Sequence, residues 1–244
     1  MSARRWHAPG ALAVALLFAG VALFVALGSW QWRRAHEKET LFAAFERGFA
    51  EAPVTLQQAR GTADPGHFPH VAARGVYAQP PRQYELENQV RDGRVGIMAF
   101  ALFEPSDGGP SLLVNRGFLP YANDVSRRPH LPDLPQGEVT LSALYAPPPG
   151  IGLRLGGNTL AQQAFPKQVI YLDPVEVEAD LGRTLDPRVL LLLPDNADGT
   201  AFVREWRPEV FPPERHYGYA LTWFTFAAVV VATFAILHWR KVRP

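Results

Sequence analysis

Both ends of this chain are apolar and its middle is not, which narrows the folds open to it. Residues 11–27 carry no charge. Extended to Trp32, the first run is about 22 residues, enough for a helix to cross a hydrocarbon core roughly 30 Å thick. A second run of about 23 residues, Tyr217 to Trp239, is equally long enough to span. Arg4 and Arg5 precede the first run, and Arg240, Lys241 and Arg243 follow the second. Trp30 and Trp32, then Tyr217, Tyr219, Trp223 and Trp239, sit where interface aromatics belong. A cleaved signal peptide is the competing reading of the first run, with Ala26-Leu27-Gly28 as its small-residue site. The length of the run and its flanking tryptophans favour a span.

Short basic flanks stay in the cytoplasm, so both termini are expected there. Arg33, Arg34 and Lys38 oppose this, but they open a long translocated segment, where charge counts for less. The expected division is a cytoplasmic tail (1–10), a first span (11–32), an extracytoplasmic domain (33–215), a second span (216–239) and a tail (240–244). In a bacterium the domain would be periplasmic and the spans would lie in the inner membrane.

The chain has 24 basic and 23 acidic residues. This near balance gives no basic field for nucleic acid. With no cysteine, disulfides, thiolate zinc, iron–sulfur clusters and thioether-linked haem are excluded. Only Met1 and Met98 offer thioether sulfur, which argues against a copper carrier. About 180 residues outside the spans must fold on their own core, and that is enough.

That middle opens with a helix carrying Leu41, Phe42, Phe45 and Phe49 on one face. It either continues the first span or packs on the domain core, and the second reading is favoured. Strand patterns follow at Val71–Tyr77, Tyr84–Asn88, Val95–Phe103, Ser111–Asn115, Val139–Tyr145, Val169–Leu172, Val189–Leu193 and Ala201–Trp206. Arg91-Asp92-Gly93-Arg94 and Ser106-Asp107-Gly108-Gly109 read as turns. Asp173-Pro174 starts a short helix that Gly182 ends. The expected fold class is a membrane protein in which two transmembrane helices flank a mostly antiparallel, barrel-like α+β domain.

No G-x-S-x-G, Walker loop or H-E-x-x-H occurs, and no nucleophile–base pair stands out. An enzyme is not expected, and an anchored hydrolase or sensor ranks last. The glycine-rich stretch Gly152–Gly157 reads as a loop. His67 and His70, with Asp64, carry metal-ligand chemistry, but intervening prolines prevent a helix that would align them, and an exposed loop is favoured.

A denser constellation lies at the outer mouth of the spans. On a helix, His216, Tyr219, Ala220 and Trp223 share one face. The first span ends at the same depth in Gly28-Ser29-Trp30-Gln31-Trp32-Arg33-Arg34, and Gly28 and Gly218 would let two helices approach closely. Neutral imidazole is a common axial ligand of haem iron. Trp30, Tyr219 and Trp223 could wall a macrocycle, while Arg33, Arg34 and Arg215 could meet its propionates. From the residues alone, an ordinary aromatic belt with a histidine at the water line is the favoured reading.

Further blocks recur in order along the chain. Leu27-Gly28-Ser29-Trp30-Gln31-Trp32-Arg33-Arg34, with Lys38 beyond, has the form leucine-glycine-x-tryptophan-glutamine-x-x-arginine. Arg74-Gly75-Val76-Tyr77, Asp92-Gly93-Arg94-Val95-Gly96 and Leu113-Val114-Asn115-Arg116-Gly117-Phe118-Leu119-Pro120 follow. Pro135-Gln136-Gly137-Glu138-Val139, the Asp173-Pro174 helix start and Arg215-His216-Tyr217-Gly218-Tyr219-Ala220-Leu221-Thr222-Trp223-Phe224 complete the set. In this order and spacing they resemble the surfeit-locus family of cytochrome c oxidase biogenesis proteins, nearly end to end. Phe118 stands where that family usually has tryptophan, and Leu153 to Lys167 lacks the expected proline- and asparagine-rich pattern, as in a divergent bacterial branch.

The resemblance implies a non-enzymatic assembly factor that binds haem a, with His216 as the axial ligand of its iron. Its partners would be the oxidase catalytic subunit, other assembly factors and the lipid bilayer, without nucleic acid. The alternative within this resemblance is a membrane scaffold that stabilises an oxidase intermediate and binds no haem. Asn115 and Arg116 would then be structural parts of the domain.

Overall fold

The computed structural model describes residues 4–62, 64, 66–121, 129–150, 156–194, 201–208 and 210–241. Pro65, residues 152–155 of the expected glycine-rich loop, and Arg243 lie outside them. The chain divides into a helical unit, residues 1–43 and 210–244, and a sheet unit, residues 44–209.

Two helices dominate the first unit. α1 runs Ala11–Ala50 and so extends well past the apolar run. Strand β1 (Arg4–Trp6) precedes it. Helix α4 (Pro213–His238) leads into strand β10 (Trp239–Lys241), which pairs antiparallel with β1. Among the described residues these are the two helices long and apolar enough to cross a membrane. Pro213 in the first turn of α4 fits because its missing N–H has no partner there in any helix. The structure thus has the expected class: two long apolar helices flanking a sheet domain.

In the sheet unit, the end of α1 leads to β2 (Val54–Thr55), α2 (Leu56–Gly61), β3 (His70–Tyr77), β4 (Gln83–Arg91), β5 (Arg94–Pro105), β6 (Ser111–Pro120) and β7 (Glu138–Ala146). β8 (Lys167–Val169), α3 (Pro174–Leu181) and β9 (Leu185–Leu192) complete it, with a 3-10 turn at Leu160–Gln162. Sequence-local capping sets both short helices. Thr55 and Gln58 exchange side-chain bonds across the start of α2 as a capping box. Asp173 accepts from the Val175 amide at 3.0 Å, Pro174 takes the first turn of α3, and Gly182 closes it with φ 64°.

The strands run in the order β2-β3-β7-β9-β6-β5-β4-β8, and β3 also pairs with β5. That extra pairing closes β3, β7, β9, β6 and β5 into a five-stranded barrel. Gly75 permits the closure: a Cβ there would sit 2.3 Å from the Glu104 carbonyl oxygen. The barrel interior is apolar, with Tyr77, Phe103, Leu112, Tyr145 and Leu190 at its centre, and Leu56 and Ala59 of α2 join it. β3 alternates buried and exposed along its length, as a strand with one wet face should. β5 is buried through its middle on both faces, because Met98, Phe100 and Leu102 face a second apolar layer that includes Val177 of α3.

Two strand expectations fail in informative ways. Val169–Leu172 is replaced by Lys167–Val169, because the Ile170 amide turns to the Asn158 side chain at 2.9 Å and leaves the ladder. Ala201–Trp206 reduces to one bridge, Phe118 with Val203. There the Arg204 side chain donates to the Arg116 carbonyl and the Trp206 indole to that of Leu192. Side chains, not a backbone ladder, dock this segment.

Of the helical face expected around Phe45, Phe45 and Phe49 belong to the sheet unit and pack within it. Phe45 meets Phe68 edge-on with ring centroids 5.1 Å apart, and Gly48 abuts the Phe68 carbonyl. Both sequence alternatives are realised by one helix, since α1 is continuous from the apolar run to this contact.

Candidate functional site

Within the helical unit, α1 and α4 run antiparallel along a seam of small and aromatic residues. Gly20 lies against Val230, Phe24 against Trp223 and Phe226, and Gly28 against Phe224. A Cβ on Gly28 would fall 2.6 Å from the Phe224 ring, so the close approach requires glycine. Gly218, expected to serve the same purpose, faces open space. It lies off the seam, and Ala220 and Ala227 are the small buried residues of α4 instead.

At one end of this seam, His216 and Gln31 meet: His216 Nδ1 lies 2.8 Å from Gln31 Oε1. An amide oxygen only accepts, so this contact makes Nδ1 the protonated nitrogen and leaves the Nε2 lone pair available. Both residues are half-buried. One residue further along each helix, Trp32 and Tyr217 pack edge-to-face at 5.0 Å. Gln31 was not singled out by sequence reasoning, although a polar amide between two tryptophans at the end of an apolar helix is a signal of function.

The other sequence-predicted residues are placed as follows. Trp223 stacks on Phe24 at 5.8 Å, interplanar angle 20°. Trp30 and Tyr219 are exposed on their helices, at 48% and 59%. Arg34 pairs with Glu37 at 2.6 Å, and Arg215 lies over the Phe211 ring at 5.4 Å. Arg33 is exposed. The structure therefore joins His216 to α1 through Gln31 and Trp223 to α1 through Phe24.

Polar residues in the sheet unit are engaged in building it. Arg116, fully buried, donates to the Gln83 side chain at 2.8 Å and to the carbonyls of Pro132 and Asp133, with its guanidinium over the Phe202 ring. Asn115 accepts from the Gly117 amide at 3.1 Å. His70 bonds the Glu51 carbonyl through Nδ1 and the Ser142 hydroxyl through Nε2, so both its nitrogens are committed within the fold. Tyr145 donates to Asp186 at 2.5 Å and Tyr84 to Asp180 at 2.9 Å. Burial, then these carboxylates, push both phenols far above their usual range.

Comparison with known proteins agrees with this arrangement of elements. The SURF1 family model matches residues 18–228, from within α1 to within α4. A SURF1-like protein of Monosiga brevicollis is 25% identical over 240 residues, covering 94% of this chain and 88% of the relative. With the family model spanning most of both long helices and the whole barrel in the sequence between them, the chain belongs to the SURF1 family.

Proposed function

We propose that this protein is a membrane-bound assembly factor for haem–copper cytochrome c oxidase that takes haem a as cargo through His216 at the outer face of the bilayer. The family is linked in general to cytochrome c oxidase assembly. The haem step rests on one observation, the His216–Gln31 contact in the seam of two apolar helices. The donor set fits the group. One imidazole has its Nδ1 engaged and its Nε2 lone pair available to iron, and aromatic side chains lie on the same pair of helices. When bound, haem iron would supply a metal centre that takes an imidazole nitrogen as ligand, and His216 would be the residue to hold it.

In this reading His216 binds, Gln31 orients the ring, Trp223 with Trp30 and Tyr219 shields the macrocycle, and Arg33, Arg34 and Arg215 neutralise its propionates. The protein carries out no bond-making chemistry of its own, and the oxidase catalytic subunit receives the cargo. In a bacterium the spans lie in the inner membrane, the barrel is periplasmic and both termini are cytoplasmic. Detergent-solubilised protein co-expressed with haem a synthesis is expected to show a Soret band. His216→Ala is expected to abolish it, and an unchanged band would exclude His216 as ligand.

A second reading, a scaffold without haem, draws on the β4–β5 hairpin. Val90 and Val95 near its tip are 60% and 43% exposed, beside the exposed Arg94, and this offers a partner an apolar and basic contact. Co-purification with the oxidase subunit in the absence of any haem absorbance would favour it.

A further inference from the structure

Proposing that His216 is the ligand leaves open what fixes its tautomer. Free imidazole exchanges its proton between two nitrogens, and only an unprotonated nitrogen can coordinate. The contact that bears on this comes from the other long helix, 185 residues away in sequence. Gln31 is held in place on both sides. One turn before it, Gly28 packs against the Phe224 ring, and one turn after it Ala35 is fully buried. The carboxylates on the next turns of α1 have other partners: Glu37 pairs with Arg34, and Glu39 with His36 at 3.0 Å and with the Tyr217 hydroxyl. The acceptor facing His216 is therefore a neutral amide.

We propose that Gln31 is a positioning residue for His216. By accepting a hydrogen bond from Nδ1–H it keeps Nε2 unprotonated and aimed for coordination, and by being neutral it keeps the imidazole a ligand that can let go. This deepens the haem reading above and rests on it. Outer-shell acceptors orient metal-binding histidines and raise their basicity, and losing one typically costs on the order of 10–100-fold in affinity. A carboxylate would push more charge onto the ring than an amide does, which suits a resident cofactor; cargo needs release.

The test uses full-length protein in detergent with three variants, Gln31→Leu, Gln31→Glu and His216→Ala, the last also serving to assign the signals. Nitrogen NMR of histidine-labelled protein without haem reads the tautomer directly. The parent is expected to show His216 with Nδ1 protonated and Nε2 free. Gln31→Leu is expected to show a tautomer mixture and haem affinity weaker by roughly 10–100-fold. Gln31→Glu keeps an acceptor, so it is expected to restore the parental tautomer and to release haem more slowly than the parent. A purely structural glutamine would not transmit these changes to the ring nitrogens.

Parental Nε2 found protonated, or a Gln31→Leu tautomer identical to the parent, overturns the inference while leaving the ligand assignment to its own test. Gln31→Glu releasing haem no more slowly overturns the argument from a neutral acceptor. Full haem affinity in His216→Ala instead overturns the ligand reading and, with it, this inference.

Discussion

A buried guanidinium is tolerated only if its donors find acceptors. Arg116 meets that condition with a glutamine, two loop carbonyls and an aromatic face. It lies on β6 and reaches the segment around Pro132 and Asp133, so it ties a long connection to the barrel wall. Replacing it with Met keeps much of the volume but strands those acceptors. Arg116→Met is expected to lose about 3 kcal/mol of stability, read as a lower denaturant midpoint. Arg116→Lys should recover little, since one ammonium cannot span the same fork of partners. The buried tyrosines give a residue-scale prediction of a different sign. Tyr84 and Tyr145 have raised folded-state pKa values, caused first by burial and then by Asp180 and Asp186. An unfolded tyrosine ionises near pH 10, while these resist. Their contribution to stability is therefore complete below about pH 10 and falls as pH rises further. Alkaline titration is expected to show delayed ionisation of Tyr84 and Tyr145 coupled to unfolding. Ionisation of all seven tyrosines near pH 10 in folded protein would contradict this.

Among elements, the seam between β3 and β5 is the most exposed to a single substitution. Gly75 pairs with Pro105, and any side chain on it meets the Glu104 backbone and the Phe103 ring. Gly75→Val is expected to open this seam, at about 1–3 kcal/mol or more for forced overpacking. Hydrogen exchange should then speed up at Ala78 and Ser106, whose amides bond across β3 and β5 to Leu102 and Arg74. The β3–β7 ladder should change less; equal acceleration of both ladders would contradict a local opening. A barrel-like sheet is legible in the sequence, but which strands close it is not, although Gly75 is visible as part of a block, because a barrel seam is a non-local pairing that no period of two encodes. What was legible follows local rules: the long apolar runs, the Asp92-Gly93 turn, the capped helix from Pro174, and the strands whose alternation reports one buried face. The strand expected at Ala201–Trp206 reduces to a single bridge for the same reason. Its apolar spacing is real, but Arg204 and Trp206 bond through their side chains. At the candidate site, His216 announced itself as a titratable residue at the mouth of an apolar helix. Gln31 did not, since its meaning depends on which turn of α4 it faces. Gly218 and Ala220 are both small, yet Ala220 is buried and Gly218 faces open space, because small size alone does not say which face of a helix is covered.

At the scale of the whole molecule, everything proposed for haem requires the barrel to stand on the outer side, with both termini inside. Arg4 and Arg5 before α1, and Arg240, Lys241 and Arg243 after α4, are short basic flanks of the kind retained in the cytoplasm. Arg33, Arg34 and Lys38 pull the other way, but they precede a domain of well over a hundred residues, whose translocation is little affected by local charge. An even number of spans then returns the C-terminus to the side where the N-terminus began. A reporter inserted between Asp92 and Gly93, at the exposed tip of the β4–β5 hairpin, is expected to be active only if it folds outside the cytoplasm. The same reporter fused at either terminus should be silent, and a cytoplasm-dependent reporter should give the inverse pattern. The hairpin is a fair position for the insertion, because Gly93 meets nothing within 4 Å and the turn carries no core residue. Activity of the cytoplasm-dependent reporter at the hairpin would invert the topology. His216, at the domain end of its span, would then lie on the inner side of the bilayer, and delivery of haem at the outer face would be geometrically impossible for this chain.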